Sequence, residues 1–231
     1  MKYTSKLILN WEDYYFAEWW WGGWQPWANT VAYYTLNWDI LDHSGNGHDM
    51  STRIGTITYG TLTWWTQYWI FDWNTILSTT NIANVSTGTI SAYVYYNGSW
   101  LVLIDNVNTN NNNNYISVFV EAGDYRYIYS PATSTPTVSS PSAWWNLLTL
   151  TQDWTTLKFY INWTLIDTHS SNLFISSLWW NQWCIWWQAR WTQYYDKLNW
   201  YISNLIIENK VWTQQEISDY FDQTKALYGI Q

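Results

Sequence analysis

Residues 145–166 read Trp145-Asn-Leu-Leu-Thr-Leu-Thr-Gln-Asp153-Trp-Thr-Thr-Leu-Lys-Phe-Tyr-Ile-Asn162-Trp-Thr-Leu-Ile166. Three runs, Leu147–Thr151, Leu157–Ile161 and Thr164–Thr168, are rich in Leu, Ile, Thr and aromatic residues and are separated by Asp153-Trp154 and Asn162-Trp163. Short apolar and β-branched runs broken at Asp or Asn predict strands joined by tight turns. The stretch predicts a three-strand antiparallel meander, and with it an all-β chain.

The same pattern extends in both directions. Val31–Leu36 runs into the polar loop Asp42-His-Ser-Gly-Asn-Gly-His-Asp49, and further strands are expected at Ile54–Tyr59, Tyr68–Phe71, Thr89–Tyr96 and Leu101–Asp105. Tyr115–Val120 and Tyr125–Ser130 flank a hairpin turn at Glu121–Asp124, and Trp200–Glu208 is the last strand. Asn110–Asn114 reads as a polar loop and Pro131–Pro141 as a surface connection. Thr213-Gln-Gln-Glu216 then spells a capping box, in which Thr213 accepts from the first turn and Glu216 reaches back. Ile217, Tyr220, Phe221, Thr224, Leu227 and Tyr228 follow at helical spacing, and Gly229 can end the helix. The expected fold is a two-sheet antiparallel β-sandwich of jelly-roll type with one short C-terminal helix. Residues 28–231 are expected to form it, preceded over residues 1–27 by a short arm, with a strand at residues 4–10, and a low-complexity linker.

Composition narrows the function. The 231 residues carry only 11% charged side chains and a net charge of −8, which argues against a broad electrostatic grip on nucleic acid. No run is long and apolar enough to span a membrane, and the first ten residues lack the apolar core of a secretory signal before Glu12 and Asp13. Export by another route, or departure on a virus particle, is the expectation, with an extracellular, cell-surface or virion location. A single cysteine, Cys184, excludes an internal disulfide and a cysteine zinc cluster, and His43, His48 and His169 have no paired spacing.

Tryptophan is in excess, 24 against 10 glycines. Trp38, Trp73, Trp154, Trp163 and Trp200 each follow Asn or Asp at a candidate strand boundary, where hairpin turns favour glycine because they need positive φ. UGA is a stop codon in most genomes, tryptophan in some and glycine in others. The pattern is that of a gene written with UGA as glycine and translated with the tryptophan table. Under that reading the turn tryptophans should stand exposed with glycine-like backbone angles.

Three segments, in order, resemble the laminin-G-like branch of the concanavalin A-like lectin/glucanase superfamily. Ala32–Asp49 resembles its opening strand and D-x-S-G-N-G loop. Trp145–Ile166 resembles its W-x-x-(V/L)-x-x-T, D-G, L-x-(L/F)-Y-(V/I)-N-G series. Asn199–Ile217 resembles its G-x-I-x-x-(V/L), N-(R/K), (S/T)-x-x-E-I ending. The likeness covers roughly residues 30–228. Trp154, Trp163 and Trp200 stand at family glycines and Trp145 at a family tryptophan. Trp212 stands where the family often has Leu or Trp, so Trp145 and Trp212 are expected to belong to the core.

The resemblance implies three kinds of site. Glucan-cleaving relatives carry an E-x-D-x-x-E strand, and retaining chemistry needs two carboxylates about 5 Å apart. None of Glu12, Glu18, Glu121, Glu208 and Glu216 begins that pattern, and Glu208, at a strand end, reads as a solvated edge charge. Relatives often hold Ca²⁺ with oxygen ligands. Asp39, Asp42 and Asp49 are the candidate ligands, although Ser203 replaces an Asp common in relatives, and a loop ordered by Asx-turns is the competing reading. Carbohydrate binding pairs aromatic faces with planar polar groups. Tyr93, Tyr95, Arg126, Tyr127, Arg190 and Tyr194 are its candidates. The expected function is a non-catalytic carbohydrate-binding or adhesion module, with glycans or cell-surface polysaccharide as partner. The alternative is a structural virion component packing against other subunits, and a glucanase-like hydrolase is disfavoured.

Overall fold

The computed structural model describes residues 28–36, 39–54, 56–62, 67–71, 76–80, 82, 87–95, 101–108, 115–121, 124–129, 138–139, 145–170, 181–185 and 200–231. The arm and linker of residues 1–27, the loop Asn110–Asn114, and Trp38, Trp73, Arg190 and Tyr194 lie outside these residues.

Two antiparallel sheets form the body. In the eight-stranded sheet the order is β13 (Thr164–Ser170), β12 (Thr156–Ile161), β11 (Trp145–Gln152), β6 (Gly88–Tyr95), β15 (Trp200–Glu208), β4 (Gln67–Phe71) and β3 (Thr58–Thr61). β1 (Thr30–Tyr34) pairs with the second half of β15. The seven-stranded sheet runs β10 (Val138–Ser139), β9 (Asp124–Tyr129), β8 (Tyr115–Glu121), β7 (Leu101–Asn108), β14 (Asn181–Ile185), β5 (Ile76–Thr80) and β2 (Ser51–Ile54). The meander read from residues 145–166 is present as β11–β12–β13, with Thr149 opposite Tyr160 and Ile161 opposite Thr164.

Side chains alternate across the first sheet. Tyr34, Ile90, Ala92, Val94, Leu148, Leu150, Phe159, Ile202 and Ile207 form the buried face that meets the second sheet, and Leu77 of β5 is buried with them. The opposite face is also buried, because a helix lies on it. Helix α1 (Gln214–Thr224) opens with the expected capping box on Thr213 and Glu216, and a 3₁₀ turn, Lys225–Tyr228, ends on Gly229 at φ 70°. Ile217, Tyr220 and Phe221 of α1, with Tyr228, pack against Tyr33, Tyr93, Trp145, Leu147, Tyr160, Ile206 and Trp212. Leu227, expected on the buried face, is exposed instead, because the tighter 3₁₀ turn rotates it off the α-helical stripe.

The expected strand at Ile54–Tyr59 is two strands, β2 and β3, in different sheets. β5, β10 and β14 were not expected at all. β14 lies between β7 and β5, and its sequence Asn-Gln-Trp-Cys-Ile has no alternation to mark it.

The turn tryptophans divide the expectation. Trp154 and Trp163 do stand in turns, 70% and 49% exposed. Their backbones, however, are not glycine-like: the left-handed angle falls on Asn162, at φ 57°, and on neither tryptophan. Asn tolerates that conformation, and the Asp153 side chain closes the other turn by accepting from the N–H of Thr155 and Thr156. Trp145 and Trp212 are in the core as expected.

Candidate functional site

Tyr93 and Tyr95 lie two residues apart on β6 and so share the outer face. Only one of them can touch a ligand. Tyr93 is 0% exposed, stacked 3.7 Å from Tyr228 and hydrogen-bonded to Thr224. Burial pushes its hydroxyl up, well beyond the ordinary tyrosine range. Tyr93 therefore leaves the set of sugar-binding candidates: it is the seat of the C-terminal turn. Tyr95 sits at the margin of that seat and is half-buried.

Two neighbouring strands bring partners to Tyr95. Tyr201 of β15 is opposite it in register, and the rings are 5.3 Å apart. Tyr68 of β4 lies 4.5 Å from Tyr201, and all three border Trp145. The Tyr68 ring rests directly over Gly60 of the edge strand, where a Cβ would stand 2.2 Å from it, so only glycine permits this approach. All three tyrosines are half-buried, and among the described residues none of their hydroxyls has a hydrogen-bond partner. Burial, then the neighbouring Tyr201 and Tyr95, raise the Tyr68 hydroxyl above its usual range. Tyr68 and Tyr201 were not singled out from the sequence, because their proximity to Tyr95 depends on long-range pairing.

Two other candidates lie on the second sheet and two fall outside the described residues. Arg126 and Tyr127 are on β9 of the second sheet, paired with Phe119 and Val118. Arg190 and Tyr194 lie outside the described residues.

The acidic loop is ordered by hydrogen bonds to its own carboxylates. Asp42 Oδ1 accepts from the N–H of Tyr33 and Ser44, and Oδ2 from the Ser44 hydroxyl and the His48 N–H, at 2.8–3.0 Å. Burial pushes its pKa up, but these bonds outweigh it and hold the carboxyl below its usual value. Asp49 accepts from the Asp42 N–H, and Asp39 from the Leu41 N–H and the His43 ring. All three carboxylates thus order the loop, Asp42 through both oxygens and Asp39 and Asp49 through Oδ1. Among the described residues no three His, Cys, Asp or Glu side chains gather to hold a metal.

Glu208 also departs from expectation. It is 0% exposed rather than a solvated edge charge, accepting from the Thr30 hydroxyl at 3.0 Å and from the Trp212 indole N–H. Burial raises its pKa despite those bonds. The contact ties β1, β15 and the approach to α1 together.

At the start of α1, a depression of about 250 Å³ opens between the helix and β11–β13, lined by Thr151, Asp153, Lys158, Tyr160, Leu165 and Gln214 among others. It contains one carboxylate, so it offers no acid–nucleophile pair.

No family model matches the chain, and no curated protein sequence matches it. Solved structures do. The receptor-binding domain of botulinum neurotoxin C/D mosaic serotype superposes with a TM-score of 0.65 at 12% identity, over 84% of this chain and 51% of that one. Botulinum neurotoxin type C, whose cell entry is described as dependent on two ganglioside molecules, gives 0.67 at 17% identity, over 86% and 51%. Domain 4 of a GH43 extracellular arabinanase from Geobacillus stearothermophilus, in complex with arabinotriose, gives 0.64 at 15% identity, over 83% and 97%. The chain thus spans about half the length of the neurotoxin binding domains it resembles. What the likeness establishes is the fold, a β-sandwich.

Proposed function

We propose that this chain is a non-catalytic carbohydrate-binding module of the concanavalin A-like, laminin-G-like kind, serving adhesion at a cell surface or on a virion. One observation carries the reading: Tyr68, Tyr95 and Tyr201 meet on the outer face, half-buried, with hydroxyls that have no hydrogen-bond partner among the described residues. Clustered rings give apolar surface for the C–H face of a sugar, and the hydroxyls can bond its oxygens. The ganglioside and arabinotriose named for the structural neighbours support the ligand class. Arg126, Tyr127, Arg190 and Tyr194 are further proposed contacts of the same module.

A glycan array probed with the whole chain tests this. Binding to at least one glycan is expected, with about tenfold weaker affinity for Tyr95→Ala and for Tyr201→Ala, the loss of one ring contact and its hydrogen bond. No binding to any glycan at high micromolar protein would sink the proposal. Neighbouring genes distinguish the settings: portal, capsid or tail genes mark a virion protein, secretion or anchoring genes a surface adhesin.

The glycine-codon reading is part of the same proposal. Exposure of Trp154 and Trp163 supports it, and their backbone angles do not require it. UGA codons are expected at Trp38, Trp73, Trp154, Trp163 and Trp200; UGG at all five would end it.

A further inference from the structure

The depression at the start of α1 has no part in the tyrosine site. We propose that it is a second saccharide site, taking a single neutral pyranose residue between Lys158 and Asp153. Lys158 is half-buried in the lining and, among the described residues, has neither an ion pair nor a hydrogen bond. Asp153 carries the opposite charge in the same lining. One of its oxygens, Oδ1, accepts from the Thr155 and Thr156 N–H groups and the Thr155 hydroxyl. The Thr156 hydroxyl also stabilises the carboxylate, which still has acceptor capacity for another donor. The two charges share one depression without bridging each other.

That arrangement selects among ligands. A sugar hydroxyl is both donor and acceptor, so of two adjacent hydroxyls one can accept from Lys158 while the other donates to Asp153. A carboxylate or sulfate would gain Lys158 but meet the Asp153 charge, and a cation would meet the reverse. Gln214, whose amide N–H donates to the Trp163 carbonyl, adds its amide oxygen as a neutral acceptor. Exposed Leu165 supplies apolar surface for the C–H face. The space lies below the usual range for a drug-sized ligand and suits one ring rather than an oligosaccharide. The site is distinct from the tyrosine cluster, which borders the 3₁₀ turn at the other end of the helical segment through Trp145 and Tyr228.

Nuclear magnetic resonance titration of the whole chain with glucose, galactose and mannose, each up to high millimolar concentration, tests the assignment. At least one neutral sugar is expected to shift the amide signals of Thr151, Lys158 and Gln214. The apparent affinity should fall about tenfold or more in Lys158→Met and in Asp153→Asn, with the remaining spectrum unchanged. Tyr95→Ala should leave these shifts intact, so loss of the tyrosine site and loss of this one are separable. Three results would overturn the proposal. They are no shift at these amides with any neutral sugar, shifts unaltered in both variants, or a response confined to glucuronate or sulfate.

Discussion

Trp212→Ala is expected to cost about 4 kcal/mol of folding free energy, the range for deleting a large buried aromatic. The indole is 1% exposed, packs 5.3 Å from Tyr220 and donates to the Glu208 carboxylate. Removing it leaves a cavity under the helix and takes one of two donors from a buried acid. Trp212→Phe keeps most of the volume but not the N–H and should cost about 2 kcal/mol, because it isolates the hydrogen bond to a charged group. Trp154→Ala, in an exposed turn, should move stability by no more than about 0.5 kcal/mol. Urea unfolding followed by circular dichroism gives all three values. Equal losses at Trp212 and Trp154 would show that the α1 face is not a core. Domain stabilities are about 5–15 kcal/mol, so the Trp212→Ala loss is a large share of the total.

Asp42→Ala should be nearly as damaging, at about 3 kcal/mol, since three backbone N–H groups and one hydroxyl lose a charged acceptor together. The pH dependence has a definite sign. The folded carboxyl titrates below its unfolded value because the four hydrogen bonds outweigh burial. Its contribution is complete above the unfolded pKa, near 4, and is lost as pH falls through the lower folded pKa. In Asp42→Asn that acid-side loss should disappear, and the variant should be intermediate in stability at neutral pH, one oxygen still accepting. Neither added calcium nor a chelator should move the melting temperature of the wild-type chain, because both Asp42 oxygens are already occupied. A calcium-dependent rise of several degrees would overturn this account of the loop.

The contrast between these residues shows where local reading succeeds. The Thr213–Glu216 capping box and the Gly229 stop are interactions within a few residues, so their spelling was sufficient. The meander was legible for the same reason: neighbouring strands joined by turns pair with each other. Asp42 was legible as loop chemistry, but which four donors converge on it was not, because one of them, the Tyr33 N–H, comes from β1.

Period-two alternation and local turn chemistry determined from sequence alone that this chain is an antiparallel β-sandwich closed by one helix. Only the tertiary structure decided which face each side chain meets and what covers it. Tyr93 and Tyr95 are indistinguishable in the alternation of β6, yet the C-terminal turn buries the first and leaves the second beside Tyr68 and Tyr201. Glu208 resembles any strand-end acid until β1 and Trp212 close over it. β14 becomes an interior strand only because β5 and β7 flank it. Alternation specifies a side of a strand; burial and pairing are set by residues distant in sequence, and those contacts place the candidate site.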